Sequence, residues 1–305
     1  MFQRKHPLSL LGLCALLTIS AGCGSQAADP NQPPVFSSPT VLVPEAPGEE
    51  ILGDPPLTLD ISNLDQGYFV AQAQDDGYRK NIQLIGEDQV QYSYFLDSGE
   101  ETVIPFTSGS GTYQLSCYQE VDGSRFAALF AQVLDVSLKN EFLPFLYPNQ
   151  YISFTPDSQA SKLALDLLPD DATDMEGLDA IYEYVTSHVV YDDEKAATVN
   201  PGYLPDVDET LATGTGICFD YAALMTAMLR SRDIPSKLQI GYSGSIKHAW
   251  IDVYLRSKGW VEAAVYFDGD TWQRMDPTFA SNSEDAEFIQ SYIGDGSNYT
   301  VQFSR

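Results

Sequence analysis

The hydrophobic period of this chain changes near residue 155, from strands alone to helices followed by strands, and that change limits the fold classes open to it. Before it, seven short runs alternate apolar and polar residues or are rich in β-formers: 57–61, 68–73, 82–85, 90–96, 102–106, 112–118 and 126–138. Turn signals separate them, among them Asp75-Asp76-Gly77, Asp97-Ser98-Gly99 and Asp122-Gly123. A period of two sends successive side chains to opposite faces of a sheet, and short strands at this spacing predict a β-sandwich over 57–154. After residue 155, Leu178, Ile181, Tyr182 and Val185 recur at helical spacing. Thr173 with Glu176 reads as a capping box at the start of that helix. A second helix is predicted over 218–232, because Pro235 bars its continuation. Strands are expected at 237–242, 249–255, 260–267 and 271–275. The chain therefore reads as α+β, with a sandwich followed by a mixed domain over 155–305.

The N-terminus reads as an export signal over 1–22. Arg4 and Lys5 precede an apolar stretch, 8–19, and the small residues Ala21 and Gly22 follow. That stretch is shorter than the ~20 apolar residues a membrane-spanning helix needs, and its layout is that of a removable signal peptide. From 23 to 56 the sequence is rich in Pro, Ser, Gln and acidic residues, with eight prolines between Gly24 and Pro56. Such a segment buries little apolar surface and runs extended, so it is expected to be a tether without regular structure.

The formal charge is -27. A surface this acidic repels nucleic acid and excludes it as a partner class. Cysteines are too few for a disulfide framework: beyond Cys14 and Cys23 only Cys117 and Cys218 remain. Cys117, inside a strand run, reads as a small buried apolar residue. Cys218 has a different setting. It follows Gly214-Thr215-Gly216-Ile217 and opens the second predicted helix. The glycines permit a sharp turn and a close approach to substrate. Dipole and first-turn amides at a helix N-terminus stabilise a thiolate and supply one donor for an oxyanion.

Of three histidines, only His188 and His248 lie beyond the export segment. His248 begins an alternating strand and shares a face with Trp250, Asp252 and Tyr254. Asp276 closes a later strand, ahead of Pro277-Thr278. An acid beside an imidazole fixes its tautomer and favours its charged form. Each of these residues also has a plain structural reading: a core thiol, a hydrogen-bonded strand histidine and a turn aspartate. His188 sits near a helix end and is read as bonding its carbonyls. Asp206, Asp208 and Glu209 lack calcium-loop spacing and read as a solvated loop. Trp250 reads as packing. Tyr191 and Tyr203 are candidates for a second oxyanion donor.

In order, Thr213-Gly214-Thr215-Gly216-Ile217-Cys218, Tyr221-Ala222-Ala223-Leu224, Ile234-Pro235, Gly241-Tyr242, His248-Ala249-Trp250 and Asp276-Pro277-Thr278 resemble the core of the transglutaminase-like superfamily. The resemblance is strong over about seventy residues. It implies a papain-like α+β fold, with Cys218 as nucleophile, His248 as base and acid, and Asp276 as orienting residue. It implies an enzyme acting on amide carbonyls of protein or peptide substrates, without cofactor or metal. Hydrolysis and crosslinking use the same triad. The spacing from His248 to Asp276 is wide, and Asp268-Gly269-Asp270 suggests a hairpin turn within it. Ahead of this core, Gly111-Thr112-Tyr113 followed by Cys117 resembles an immunoglobulin-like domain. At the N-terminus, Ser20-Ala21-Gly22-Cys23 resembles a lipobox, which implies lipidation of Cys23, a membrane anchor and an extracytoplasmic location. Cleavage after Ala27 is the alternative. A rival of another class is a non-catalytic peptide- or glycan-binding surface lipoprotein on the same fold.

Overall fold

Two four-stranded sheets account for the alternating half of the chain. In this computed structural model the described residues are 29–262, 265–267, 272–274 and 299–305. The export segment, Cys23, Ala27 and Asp276 lie outside them. The strands are β1 (Ile51–Leu52), β2 (Leu57–Asp60), β3 (Tyr68–Ala73), β4 (Lys80–Ile85), β5 (Gln91–Leu96), β6 (Glu101–Pro105), β7 (Gly111–Asp122) and β8 (Arg125–Val136). One sheet runs β1-β2-β3-β6 and the other β5-β4-β7-β8, with antiparallel pairing throughout. Leu57, Leu59, Phe69 and Ala71 of the first share one core with Ile82, Leu84, Tyr94, Leu115 and Cys117 of the second. Alternation decides which residues enter it: Tyr92, Tyr94 and Leu96 are buried while Gln91 and Phe95 face out. Cys117 is fully buried there, and burial pushes its thiol up to about 12.

Helical periodicity gives the second half its framework: α1 (Gln159–Asp166), α2 (Asp174–His188), β9 (Val190–Tyr191), α3 (Asp193–Thr198), α4 (Val207–Thr213), β10 (Thr215–Gly216) and α5 (Cys218–Arg230). The capping box at α2 is present, with Glu176 N–H donating to Thr173 Oγ1 at 3.3 Å and Thr173 N–H to Glu176 Oε2 at 2.8 Å. Helix α5 is mostly apolar and is buried all round from Asp220 to Arg230, as expected for a helix surrounded by protein. It packs against α1, α2 and α4 on one side and a sheet on the other. That sheet runs β13-β12-β11-β16, from β11 (Ser236–Ser243), β12 (Ile246–Leu255), β13 (Gly259–Val261) and β16 (Tyr299–Ser304).

The single strand expected over 260–267 is two, β13 and β14 (Val265–Phe267), which belong to different sheets. β14 pairs antiparallel with β15 (Trp272–Arg274), Phe267 opposite Trp272, and the turn expected at Asp268-Gly269-Asp270 lies outside the described residues. β16 was not among the expected strands. It pairs with β11 and delivers Arg305 into the first half of the molecule. There the guanidinium lies 4.4–4.9 Å from the rings of Tyr92, Tyr94 and Tyr151 and donates to Tyr94 Oη at 3.2 Å.

From Asp29 to Glu50 the proline-rich segment has no helix or strand, yet it is not a free spacer. Asn140 donates to the Gln32 carbonyl at 2.7 Å, and Glu141 N–H to Pro30 at 3.0 Å. Arg256 donates to the Pro34 carbonyl at 3.2 Å, and Thr40 N–H to Asp233 Oδ2 at 3.0 Å. Val41 packs on the α5 core, and Glu45 N–H donates to Tyr68 Oη at 2.8 Å. Composition indicated a segment without its own core, but a strap held by backbone groups needs no apolar side chains.

Candidate active site

Cys218 is the first residue of α5, after the extended N-cap residue Ile217. Its thiol is half-buried, in contrast to that of Cys117. The first-turn amides of a helix have no intrahelical acceptor, so they face whatever lies beside the thiol. Two glycines set up this position. Gly214 ends α4 in the left-handed conformation, at φ 63°. A Cβ on Gly216 would lie 2.7 Å from Cβ of Asp220, so this glycine makes room for a neighbouring side chain rather than for substrate. The strip 215–216 then pairs with Val190 and Tyr191 in parallel, and Asp192 N–H donates to Gly216 at 2.9 Å. Tyr221 Oη donates to the Val189 carbonyl at 2.5 Å.

Asp220 is the residue the sequence reading missed. Its carboxylate has no exposed surface. Ile217 N–H donates to Oδ2 at 2.8 Å, the Lys195 ammonium lies 2.8 Å from the same oxygen, and Tyr203 Oη donates to Oδ1 at 2.5 Å. Lys195 donates in turn to Tyr203 Oη at 2.7 Å. Ile217 has no side-chain acceptor, so Asp220 supplies half of a capping box from the third helical position. An acid three residues after a glycine-flanked N-cap was the available signal. The proton of Tyr203 is committed to Asp220, which removes it from the candidate oxyanion donors. Burial, then the bond to Asp220, pushes the Tyr203 phenol up to about 12. Burial works against the charge on Lys195, but its bonds to Asp220 and Tyr203 outweigh that and raise its pKa. Phe219 stands between two rings, with centroids 6.2 Å from Tyr151 and 6.4 Å from Tyr203.

His248 is the third residue of β12, opposite Gly241 of β11, and is 6% exposed. Alternation along β12 turns Ala249, Ile251, Val253 and Leu255 into the core that contains α5. His248, Trp250 and Asp252 take the other face. There the His248 ring lies 6.2 Å from Trp250 and 6.1 Å from Tyr299. Trp250 is 3% exposed and packs edge-on against Tyr299 at 5.1 Å, as a packing residue does. Gln239 Nε2 donates to Asp252 Oδ2 at 2.6 Å on this face. Asp276 lies outside the described residues.

His188, Asp206 and Asp208 have structural partners. His188 is exposed, stacks on Tyr184 at 4.0 Å and donates from Nδ1 to the Tyr184 carbonyl at 2.8 Å. Asp206 caps α4 through the amides of Asp208 and Glu209. Asp208 caps α1, taking N–H bonds from Gln159 and Ala160 at 3.0 Å. Tyr191 lies in β9, partly buried beside the α5 core.

Residues 161–277 match the family model of the transglutaminase-like superfamily, so the second half of the chain holds a transglutaminase-like domain. The uncharacterized protein YebA of Bacillus subtilis is 22% identical over 211 residues, covering 61% of this chain. The match spans 28% of the length of YebA. Among solved structures, a candidate cysteine protease from Cytophaga hutchinsonii is 17% identical, with 70% of this chain and 74% of that chain covered and a TM-score of 0.33. Red sea bream transglutaminase is 14% identical, with 71% and 48% covered and a TM-score of 0.28.

Proposed function

We propose that the transglutaminase-like domain is a thiol acyl-transfer enzyme acting on amide carbonyls through Cys218, His248 and Asp276. The observation that carries this reading is a half-buried cysteine at the first position of a buried helix, whose first-turn amides have no intrahelical acceptor. The thiolate attacks the carbonyl carbon, and first-turn amides receive the developing oxyanion. The C–N bond breaks as imidazolium His248 passes its proton to the leaving amine, leaving a thioester on Cys218. Water or a second amine then attacks the thioester, with neutral His248 taking the proton. Water gives a peptidase or amidase, an amine gives a transglutaminase, and hydrolysis is the favoured course.

The reading requires the imidazole, on the face of β12 away from the α5 core, to meet the thiol at the margin of the sheet. A bifunctional reagent decides this directly. 1,3-Dibromoacetone, which alkylates a thiol and then a nearby imidazole, should join Cys218 to His248 in one cross-linked peptide pair. Capture of Cys218 alone, with His248 unmodified, sinks the dyad. Incubation with cell-surface proteins then separates the two outcomes, since hydrolysis yields new termini and crosslinking yields isopeptide bonds.

We read the strand orders β2-β3-β6 and β5-β4-β7-β8 as an immunoglobulin-like arrangement, because one sheet then takes strands A, B and E and the other C′, C, F and G. We also read residues 1–22 as an export signal and Cys23 as lipidated, on the residues alone. Five residues separate Cys23 from the docked Asp29, so such an anchor holds the body close to the membrane rather than at a distance. A Cys23→Ala chain should leave the membrane fraction. Equal partition of both proteins into the soluble fraction favours cleavage after Ala27.

A further inference from the structure

The geometry points to Lys195, Tyr203 and Asp220 as positioning residues for the Cys218 thiol, a clamp that ties α3 and the 200–203 turn onto the first turn of α5. The inference rests on the acyl-transfer reading of Cys218. Three separate stretches of chain meet on one carboxylate with no exposed surface. Ile217 N–H arrives from the residue before the thiol, the Lys195 ammonium from α3, and Tyr203 Oη from the turn after it. A buried carboxylate is tolerated only when its acceptor sites are filled, and three donors fill most of the roughly four an ionised carboxylate offers. Each partner is also held on its own account. Lys195 N–H donates to Asp192 at 2.8 Å, Asp192 N–H to Gly216 at 2.9 Å, and Tyr203 N–H to Asn200 at 3.2 Å. Gly216 has no Cβ because Asp220 folds back over it.

The clamp answers a problem at this helix end. A carboxylate two residues from the nucleophile repels a thiolate, and at this N-cap no side chain of Ile217 can fix the first turn. Lys195 offsets the charge of Asp220, while Ile217 N–H and Tyr203 convert that carboxylate into a brace. The brace sets where the Cys218 sulfur points, and with it the attack geometry on a bound carbonyl. A displacement of about 1 Å in such a group costs on the order of a hundredfold in rate. The substrate side of the site is less affected, because the Asp220 carboxylate is wholly buried and Lys195 and Tyr203 are engaged with it.

The test uses the full chain and p-nitrophenyl acetate, an activated ester that acylates a nucleophilic thiol and releases p-nitrophenolate. Tyr203→Phe deletes one oxygen and Lys195→Met one charge, and thermal unfolding checks that both fold. Each should slow acylation about tenfold or more, with KM changing less than about twofold. Lys195→Arg should restore most of the rate. Wild-type acylation in both Tyr203→Phe and Lys195→Met, with the reaction lost in Cys218→Ala, overturns the clamp and leaves the acyl-transfer reading standing. Equal losses in Lys195→Met and Lys195→Arg, with KM rising in step, also overturn it. Acylation that persists in Cys218→Ala overturns the acyl-transfer reading and the clamp with it.

Discussion

The core between the first two sheets and the core around α5 differ in where their buried ionisable groups sit. Leu, Ile and Tyr side chains fill the first, with Cys117 as a small filler among them, and its buried cations, Lys80 and Arg305, sit at strand ends. The second has ionisable groups at both ends of its central helix, Asp220 at the start and Arg230 at the end, each fully buried. Arg232 and Asp233 follow, 6% and 7% exposed. Buried ionic groups rarely add stability over a well-packed apolar alternative. Those at the two ends of α5 bind backbone groups and so fix chain positions, whereas the sheet core is filled mainly by apolar side chains.

Thiol chemistry should separate the two cores most sharply. Iodoacetamide should label Cys218 on the order of a thousandfold faster than Cys117, since the latter needs an opening of the sheet core to react. Peptide mass spectrometry over a time course measures both sites in one sample. Comparable rates would erase the distinction between them.

Next in size is a dependence of stability on pH from Asp233. Burial raises this carboxyl from 3.8 to about 7, while Thr40, Arg256 and Arg232 pull the other way. The folded state thus holds a proton that the unfolded state has lost between about pH 4 and pH 7. Its stabilising contribution is complete below pH 4 and is lost as pH rises through 7. The loss amounts to about 4 kcal/mol at most. Asp233 is left-handed, at φ 59°, which asparagine tolerates. Asp233→Asn should flatten the profile in urea titrations between pH 4 and pH 8. An unchanged slope would show that Asp233 ionises alike in both states.

Arg230 should come third. Its guanidinium serves the carbonyls of Tyr147 at 2.6 Å, Ser236 at 2.8 Å and Arg305 at 3.1 Å. Arg230→Leu keeps the bulk but strands acceptors, and should cost about 3 kcal/mol. A neutral result would place this helix end among the replaceable ionic groups. Smallest is Cys117→Ala, a modest cavity in the sheet core worth about 1 kcal/mol, with no effect on acylation.

What could be read from the sequence followed from local pattern. Cys218 at the head of α5 was legible because glycines, an apolar run and Pro235 bracket the helix. The seven strand runs were legible because alternation is a property of neighbours. β16 was not, although Thr300 to Phe303 alternate, because its partner β11 lies some sixty residues earlier. The clamp escaped for the same reason: Lys195 lies in the short helix α3 and Tyr203 in the turn after it, and the meaning of both depends on a carboxylate elsewhere. The docking of 29–50 escaped because it relies on backbone groups, which composition does not report.

That docking has a consequence for the order in which the molecule is assembled. Pro34 and Thr40 emerge early in synthesis, but their seats on Arg256 and Asp233 lie 222 and 193 residues further on. The paired strands of the first half contact near neighbours in sequence and close small loops. The strap closes among the longest loops in the fold, with the loss of chain entropy such closure brings. The earliest-made of the described residues are therefore among the last to settle, and until they do this strap stays open to whatever handles the growing chain.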